Sequence, residues 1–114
     1  ASNPNFLPAG YLLENRYRIE RALGQGGFGI TYLAHDQKLD QQVCIKELFV
    51  SGNSTRGTGW TVQSQSVGEF RFADFQQRFV QEARQLARFQ HPNIVRVTDV
   101  FEANATAYTV MEFV

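Results

Sequence analysis

The chain has 114 residues, 43% of them hydrophobic, which allows one domain with one modest core. Eleven basic residues balance eleven acidic ones, so there is no electrostatic reason to expect DNA, RNA or an anionic membrane as the main partner. The single cysteine, Cys44, excludes an internal disulfide scaffold and fits a reducing, cytoplasmic setting. With only His35 and His91 beside it, four clustered ligands for a structural zinc are lacking. No apolar run exceeds three residues, so nothing here spans a bilayer or serves as a secretory signal; a membrane anchor of a longer parent would lie outside this sequence.

Residues 1–15 carry two prolines and no clear period, and read as a surface lead-in to a domain over 16–114. Tyr17, Ile19 and Arg21 alternate with Arg18 and Glu20, which predicts a half-buried strand up to Leu23. After a glycine cluster, Ile30-Thr31-Tyr32-Leu33 predicts a second strand, and Gln42 to Phe49 a third. Residues 50–72 form an insert too long for an ordinary connection. Its first part, Ser51 to Gly59, is expected to be mobile, with Trp60, Val62, Phe70 and Phe72 anchoring a small hairpin.

Asp74 is expected to cap a helix as Asp-x-x-Gln with Gln77. Phe75, Phe79, Glu82, Ala83, Leu86 and Phe89/Gln90 then fall on one face, and Pro92 ends the helix. Ile94 to Phe101 and Ala107 to Phe113 predict two more strands around a turn at Glu102 to Thr106. Asn53-Ser54-Thr55 and Asn104-Ala105-Thr106 spell glycosylation acceptors but read as ordinary turn residues. The order β-β-β-α-β-β is an α+β layer, a five-stranded antiparallel sheet with one packed helix.

Gly24-Gln25-Gly26-Gly27-Phe28-Gly29 matches G-x-G-x-x-G. A dinucleotide-binding fold, as in an oxidoreductase, needs a helix directly after such a loop, and here β-formers follow. A phosphate loop of the Walker type needs lysine where Ile30 stands. A glycine-rich flap over nucleotide phosphates remains, because backbone N–H groups without a Cβ beside them approach phosphate oxygens closely. A plain hairpin turn is the alternative.

Lys46, one of two lysines, lies inside an apolar strand, so Cys44 and Lys46 share a face opposite Val43 and Ile45. It is either a snorkelling surface lysine or an inward cation. Glu82 occupies the apolar stripe of the helix, where a buried carboxylate needs a partner. Lys46 is the available one; pairing with Arg78 or simple hydration is the other reading for Glu82.

Residues 17–114 resemble the amino-terminal lobe of a bacterial serine/threonine protein kinase of the eukaryotic type. The carriers are Leu23-Gly24-Gln25-Gly26-Gly27-Phe28-Gly29, Val43-Cys44-Ile45-Lys46, Glu82 with Leu86, His91-Pro92-Asn93-Ile94-Val95, and Val110-Met111-Glu112-Phe113-Val114. The resemblance implies ATP as ligand. Gly24, Gly26, Gly27 and Gly29 would form the phosphate flap with Phe28 at its tip, and Lys46 would touch the α- and β-phosphates while Glu82 positions it. Leu23 and Cys44 would pack on the adenine, Met111 would stand behind it, and the backbone of Glu112 and Val114 would bond its edge.

Two positions depart from the family pattern: Thr31 replaces the usual valine and Cys44 the usual alanine. The catalytic His-Arg-Asp loop and the Asp-Phe-Gly metal ligand do not occur, so the resemblance implies a second lobe, with the Mg2+ ligands, in a longer parent. That parent would phosphorylate serine or threonine of a protein substrate, while this part alone is expected to be inactive and to hold ATP weakly or not at all. A pseudokinase lobe acting as a binding module is the alternative. The lobe-facing surface, with Leu86, Val97 and Met111, is expected to be uncovered and to drive self-association or domain swapping.

Overall fold

Alternation of apolar and polar residues builds the strands, and a computed structural model describes residues 3–64, 71–88 and 96–113. In chain order the elements are β1 (Leu12–Leu13), β2 (Tyr17–Gln25), β3 (Gly29–Asp36), β4 (Gln41–Leu48), β5 (Ser54–Arg56), β6 (Val62–Ser64), α1 (Phe72–Arg88), β7 (Val97–Ala103) and β8 (Thr106–Glu112). Six strands form one antiparallel sheet in the order β1-β2-β3-β4-β8-β7, and β5 pairs with β6. The α+β class holds, with one strand more than expected. The extra strand comes from the lead-in, where Leu12 and Leu13 pair with Arg18 and Tyr17.

The lead-in is also less superficial than its composition implies. Leu7 and Leu13 are buried, and the Leu7 amide donates to Tyr32 Oη at 3.1 Å. They join Tyr17, Ile19, Ile30, Tyr32, Ala34, Val43, Ile45, Tyr108, Val110 and Val62 in one core. Cross-strand register places the sheet members on one face: Tyr32 stands opposite Ile45, and Ile45 opposite Val110. Arg21 does not continue the face of Tyr17 and Ile19. The register shifts between Ile19 and Arg21, which turns Arg21 out opposite Leu33.

Ser51 to Gly59 is not a free loop. Ser54–Arg56 pairs with Val62–Ser64 around a 3-10 turn at Thr58–Trp60. Of the four residues expected to anchor a hairpin, Val62 is buried in it, Trp60 sits at its tip, Phe72 opens the helix and Phe70 lies outside the described residues.

The helix starts earlier than Asp74. The Asp74 amide already donates to the Arg71 carbonyl, so Asp74 lies in the first turn, where its charge favours the helix dipole, rather than at the cap. Phe75 and Phe79 are half-buried and Ala83 is buried. Gln76 anchors the helix, donating to Glu102 Oε1 at 3.0 Å and to the Thr106 carbonyl at 3.1 Å. Phe89, Gln90 and the run from His91 to Val95 lie outside the described residues. Asn104 and Ala105, at φ 52° and 59°, make the tight turn between β7 and β8 that the sequence predicts.

Candidate functional site

β4 is a central strand, paired with β3 on one side and β8 on the other. Its alternation sets the site. Val43, Ile45 and Glu47 point into the core, while Cys44, Lys46 and Leu48 point the other way. Register brings Thr31 and Thr109 directly beside Lys46, and Leu33 and Met111 beside Cys44. The expected sharing of a face by Cys44 and Lys46, opposite Val43 and Ile45, is therefore met.

The glycine loop joins β2 and β3 as a hairpin, with Gly26, Gly27 and Phe28 between the strands. Its carbonyls face the chain: the Phe49 amide donates to the Phe28 carbonyl at 3.0 Å, and the Ser51 amide to the Gly27 carbonyl at 2.9 Å. The amides of Gly27 and Phe28 donate to no group among the described residues. Gly29 must be glycine for packing, since a Cβ there would lie 2.9 Å from the Glu47 carbonyl oxygen and 3.2 Å from Lys46 Cε. At Gly24, Gly26 and Gly27 a Cβ would meet nothing within 4 Å. Their lack of side chain is not required by the chain's own packing, and it leaves the approach to the free amides open.

Phe28 is 59% exposed, and its ring stacks on Phe75 of the helix at 5.8 Å and 20°. Beneath it lies an open cleft of about 300 Å³ lined by Phe28, Lys46, Leu48, Phe75, Arg78, Phe79 and Glu82. The flap tip, the lysine and the helix carboxylate thus meet in one place. The lysine and carboxylate do not touch, however. The ion pairs among the described residues are Arg16–Asp36, Arg56–Glu47 and Arg96–Glu112, and His35 Nε2 lies 3.0 Å from Asp40 Oδ1. Glu82 is exposed rather than buried, because the helix turns Ala83 inward and leaves residue 82 on the edge of the stripe. Water solvates its carboxylate, so burial does not force a pair.

The remaining predicted positions do not line this cleft. Leu23 sits at a second register shift, between Ala22 and Gly24, and is 39% exposed. Cys44 is half-buried, and burial pushes its thiol above the ordinary range, so it is a neutral apolar contact. Met111 is half-buried, and Val97 beside it is buried rather than uncovered. The Glu112 amide donates to the Arg96 carbonyl at 3.0 Å, so that amide is not available to a ligand. Val114 lies outside the described residues.

Sequence reasoning missed the residue next to Lys46. Glu47 is fully buried on the core face. Arg56 grips it with two bonds, Nη2 to Oε1 at 2.7 Å and Nη1 to Oε2 at 2.9 Å. The hydroxyls of Tyr32 and Tyr108 also donate to it. Burial opposes the Arg56 charge, but the hydrogen bonds and charge of Glu47 outweigh that and raise its pKa. Burial and the Glu47 charge together push both phenols upward. The signal was present in the sequence: Val43, Ile45, Glu47 alternates, and a carboxylate at the third position needs a partner.

A family-wide profile described as protein kinase domain matches residues 17–114. The chain belongs to the protein kinase domain family. It is 34% identical over 107 residues to the serine/threonine-protein kinase pkn2 of Myxococcus xanthus, covering 94% of this chain and 11% of that protein. With the serine/threonine-protein kinase PrkC of Bacillus subtilis it shares 35% over 106 residues, or 92% of this chain and 14% of the other. Among solved structures, the apo form of PpkA-294 superposes with a TM-score of 0.83 at 39% identity, covering 96% of this chain and 39% of that one. The kinase domain of Mycobacterium tuberculosis PknI shares the fold, with a TM-score of 0.67 at 23% identity. The chain therefore spans a small part of its curated relatives and corresponds to the N-terminal portion of the kinase fold.

Membership brings ATP and a divalent metal as the family's general cofactors. The residues described fit the first. Lys46, with no ion-pair partner among the described residues, shares a face with the half-buried Cys44 and Met111, and the glycine loop beside it has room at three glycines and two amides that donate to no described group. They do not fit the second: no three His, Cys, Asp or Glu side chains cluster as a metal site among the described residues. No described helix is long and apolar enough to cross a membrane.

Proposed function

We propose that this chain is the nucleotide-holding lobe of a serine/threonine protein kinase, whose longer parent transfers a phosphoryl group from ATP to a hydroxyl of a protein substrate. Lys46 carries the reading. It projects from a central strand into a cleft that Phe28 of the glycine flap also lines, with no ion-pair partner among the described residues. Its ammonium holds the α- and β-phosphates, and the amides of Gly27 and Phe28 donate to phosphate oxygens from above. Gly24, Gly26 and Gly29 keep that approach free of side chains. Leu23, Thr31, Cys44 and Met111 flank the adenine, whose edge bonds the Glu112 backbone through its carbonyl, the amide being engaged by Arg96, and the backbone of Val114.

Glu82 lines the same cleft as Lys46 and is the carboxylate proposed to position it when nucleotide is bound. Mg2+ is the metal proposed for the parent, with ligands outside this chain. A cytoplasmic setting is proposed on the single thiol. Self-association through the surface of Leu86 and Met111 is also proposed, on the exposure of Leu86.

The test is phosphoryl transfer by the full-length parent from ATP to a general protein acceptor such as casein. Lys46→Met is expected to lower kcat/KM by about a hundredfold or more, on the scale of a lost transition-state charge contact. Unchanged turnover in that variant would remove the reading.

A further inference from the structure

We propose that Arg56 and Glu47 are positioning residues for Lys46 and the glycine flap, and that this is the task of the inserted hairpin from Ser54 to Ser64. The proposal rests on the nucleotide role given to Lys46 above.

Lys46 and Glu47 are consecutive on β4, so one side chain enters the cleft as the other enters the core. The ladders to β3 and β8 fix the plane of the strand at both residues, through Thr31 and Thr109 and through Ile30 and Tyr108. Rotation of the strand about its own axis is fixed from the core side. There Glu47 accepts two bonds from Arg56 and one each from Tyr32 and Tyr108. The guanidinium reaches further, donating from Nη2 to the Asn5 carbonyl at 2.6 Å and from Nη1 to the Trp60 carbonyl at 3.0 Å. One side chain thus ties the lead-in, the hairpin and β4 together.

The same anchor extends to the flap. The segment after Glu47 is held at each step: the Leu48 carbonyl accepts from Thr106 Oγ1 at 2.6 Å, and the Val50 amide donates to Ser54 Oγ at 3.0 Å. Between those points the amides of Phe49 and Ser51 hold the carbonyls of Phe28 and Gly27. Gly29 leaves no slack, because Lys46 Cε and the Glu47 carbonyl already fill the place of its Cβ. A shift at Glu47 therefore reaches both Lys46 and the flap tip. Stability alone is a weak reason for such a pair, since well-packed apolar residues replace a buried ion pair at little or no cost. What the pair supplies is a fixed orientation, through a bidentate fork that admits one geometry.

The experiment is a double-mutant cycle on the full-length parent, reading the Kd for ATP with circular dichroism as the check on folding. Arg56→Lys keeps the charge and loses the fork. It is expected to weaken ATP binding by about tenfold, within the range of losses from small misplacements. In a Lys46→Met background the same change is expected to have less than about a twofold effect, because the group it positions is gone. If Arg56→Lys does not fold, Glu47→Leu/Arg56→Met removes both charges and takes its place in the cycle. Equal losses in both backgrounds, or unchanged affinity in the folded Arg56 variant, overturn the proposal alone. Unchanged affinity in Lys46→Met by itself overturns the nucleotide role of that lysine, and the proposal falls with it.

Discussion

Lys46 and Glu47 are neighbours on one strand and live in opposite surroundings. The lysine is exposed in an open cleft and has no ion-pair partner among the described residues. The glutamate is fully buried, and its oxygens accept from an arginine and two tyrosines. The core face satisfies its charge internally and so contributes to one fixed structure. The cleft face leaves its charge unsatisfied, and this keeps it available to an outside anion. Strand alternation makes both conditions possible one residue apart.

The comparison breaks most directly by deleting each charge in turn. Glu47→Ala strands the Arg56 guanidinium, whose side chain is 4% exposed, away from water. Loss of one partner of a buried pair is expected to cost about 3–5 kcal/mol, a large share of a typical domain's stability. Lys46→Ala removes an exposed, unpaired charge and is expected to change stability by no more than about 0.5 kcal/mol. Urea unfolding of the two variants decides the matter, and equal shifts in midpoint would erase the distinction between the faces.

The buried face also imposes a pH dependence. Tyr17, Tyr32 and Tyr108 have phenols pushed upward, each chiefly by burial. A raised folded value favours the neutral form. The stability it contributes is complete below the ordinary tyrosine value of about 10 and is lost as pH rises beyond it. Asp36 has the opposite sign: the hydrogen bond from Arg16 lowers its pKa, so its contribution holds above the ordinary carboxylate range and is lost in acid. Unfolding midpoints are expected to stay flat near neutrality and to fall on the alkaline side, with tyrosinate absorbance appearing together with unfolding. Ionisation of Tyr32 or Tyr108 near pH 10 in an intact fold would contradict the closed packing around Glu47.

The same contrast explains what was legible in the sequence. Strand parity is binary, so the shared face of Cys44 and Lys46 followed from alternation alone. A helical stripe has soft edges, because each residue turns 100° from the last and a position beside the stripe is half in and half out. Glu82 lay on that edge, and the helix buried Ala83 instead. The carboxylate of the apolar series that does need a cation is Glu47, which Arg56 supplies. Its partner was hidden in a glycine- and threonine-rich stretch whose strands, Ser54–Arg56 and Val62–Ser64, are too short to show a period. The lead-in was obscured in the same way, since Leu12–Leu13 offers two residues of strand. Arg21 and Leu23 were misplaced or uncommitted for another reason: register shifts on either side of Ala22 reset the alternation.

The smallest effect separates stability from function within the cleft itself. Phe28 projects from the flap and stacks on Phe75, yet more than half of its surface meets solvent. Exposure limits what the contact contributes to folding. A cycle of Phe28→Ala, Phe75→Ala and the double variant is expected to give a coupling near the lower end of about 0.5–1.5 kcal/mol for aromatic pairs. Both rings line the cleft with Lys46 and Glu82, so the stack is a contact between the flap tip and the helix at that site. Phe28→Ala should therefore raise hydrogen exchange at the amides of Phe49 and Ser51, which donate to the flap carbonyls, while leaving β4 and β8 protected. Protection lost equally in the central strands would place Phe28 with the core face, and the division between a closed side and an open side of the sheet would not survive.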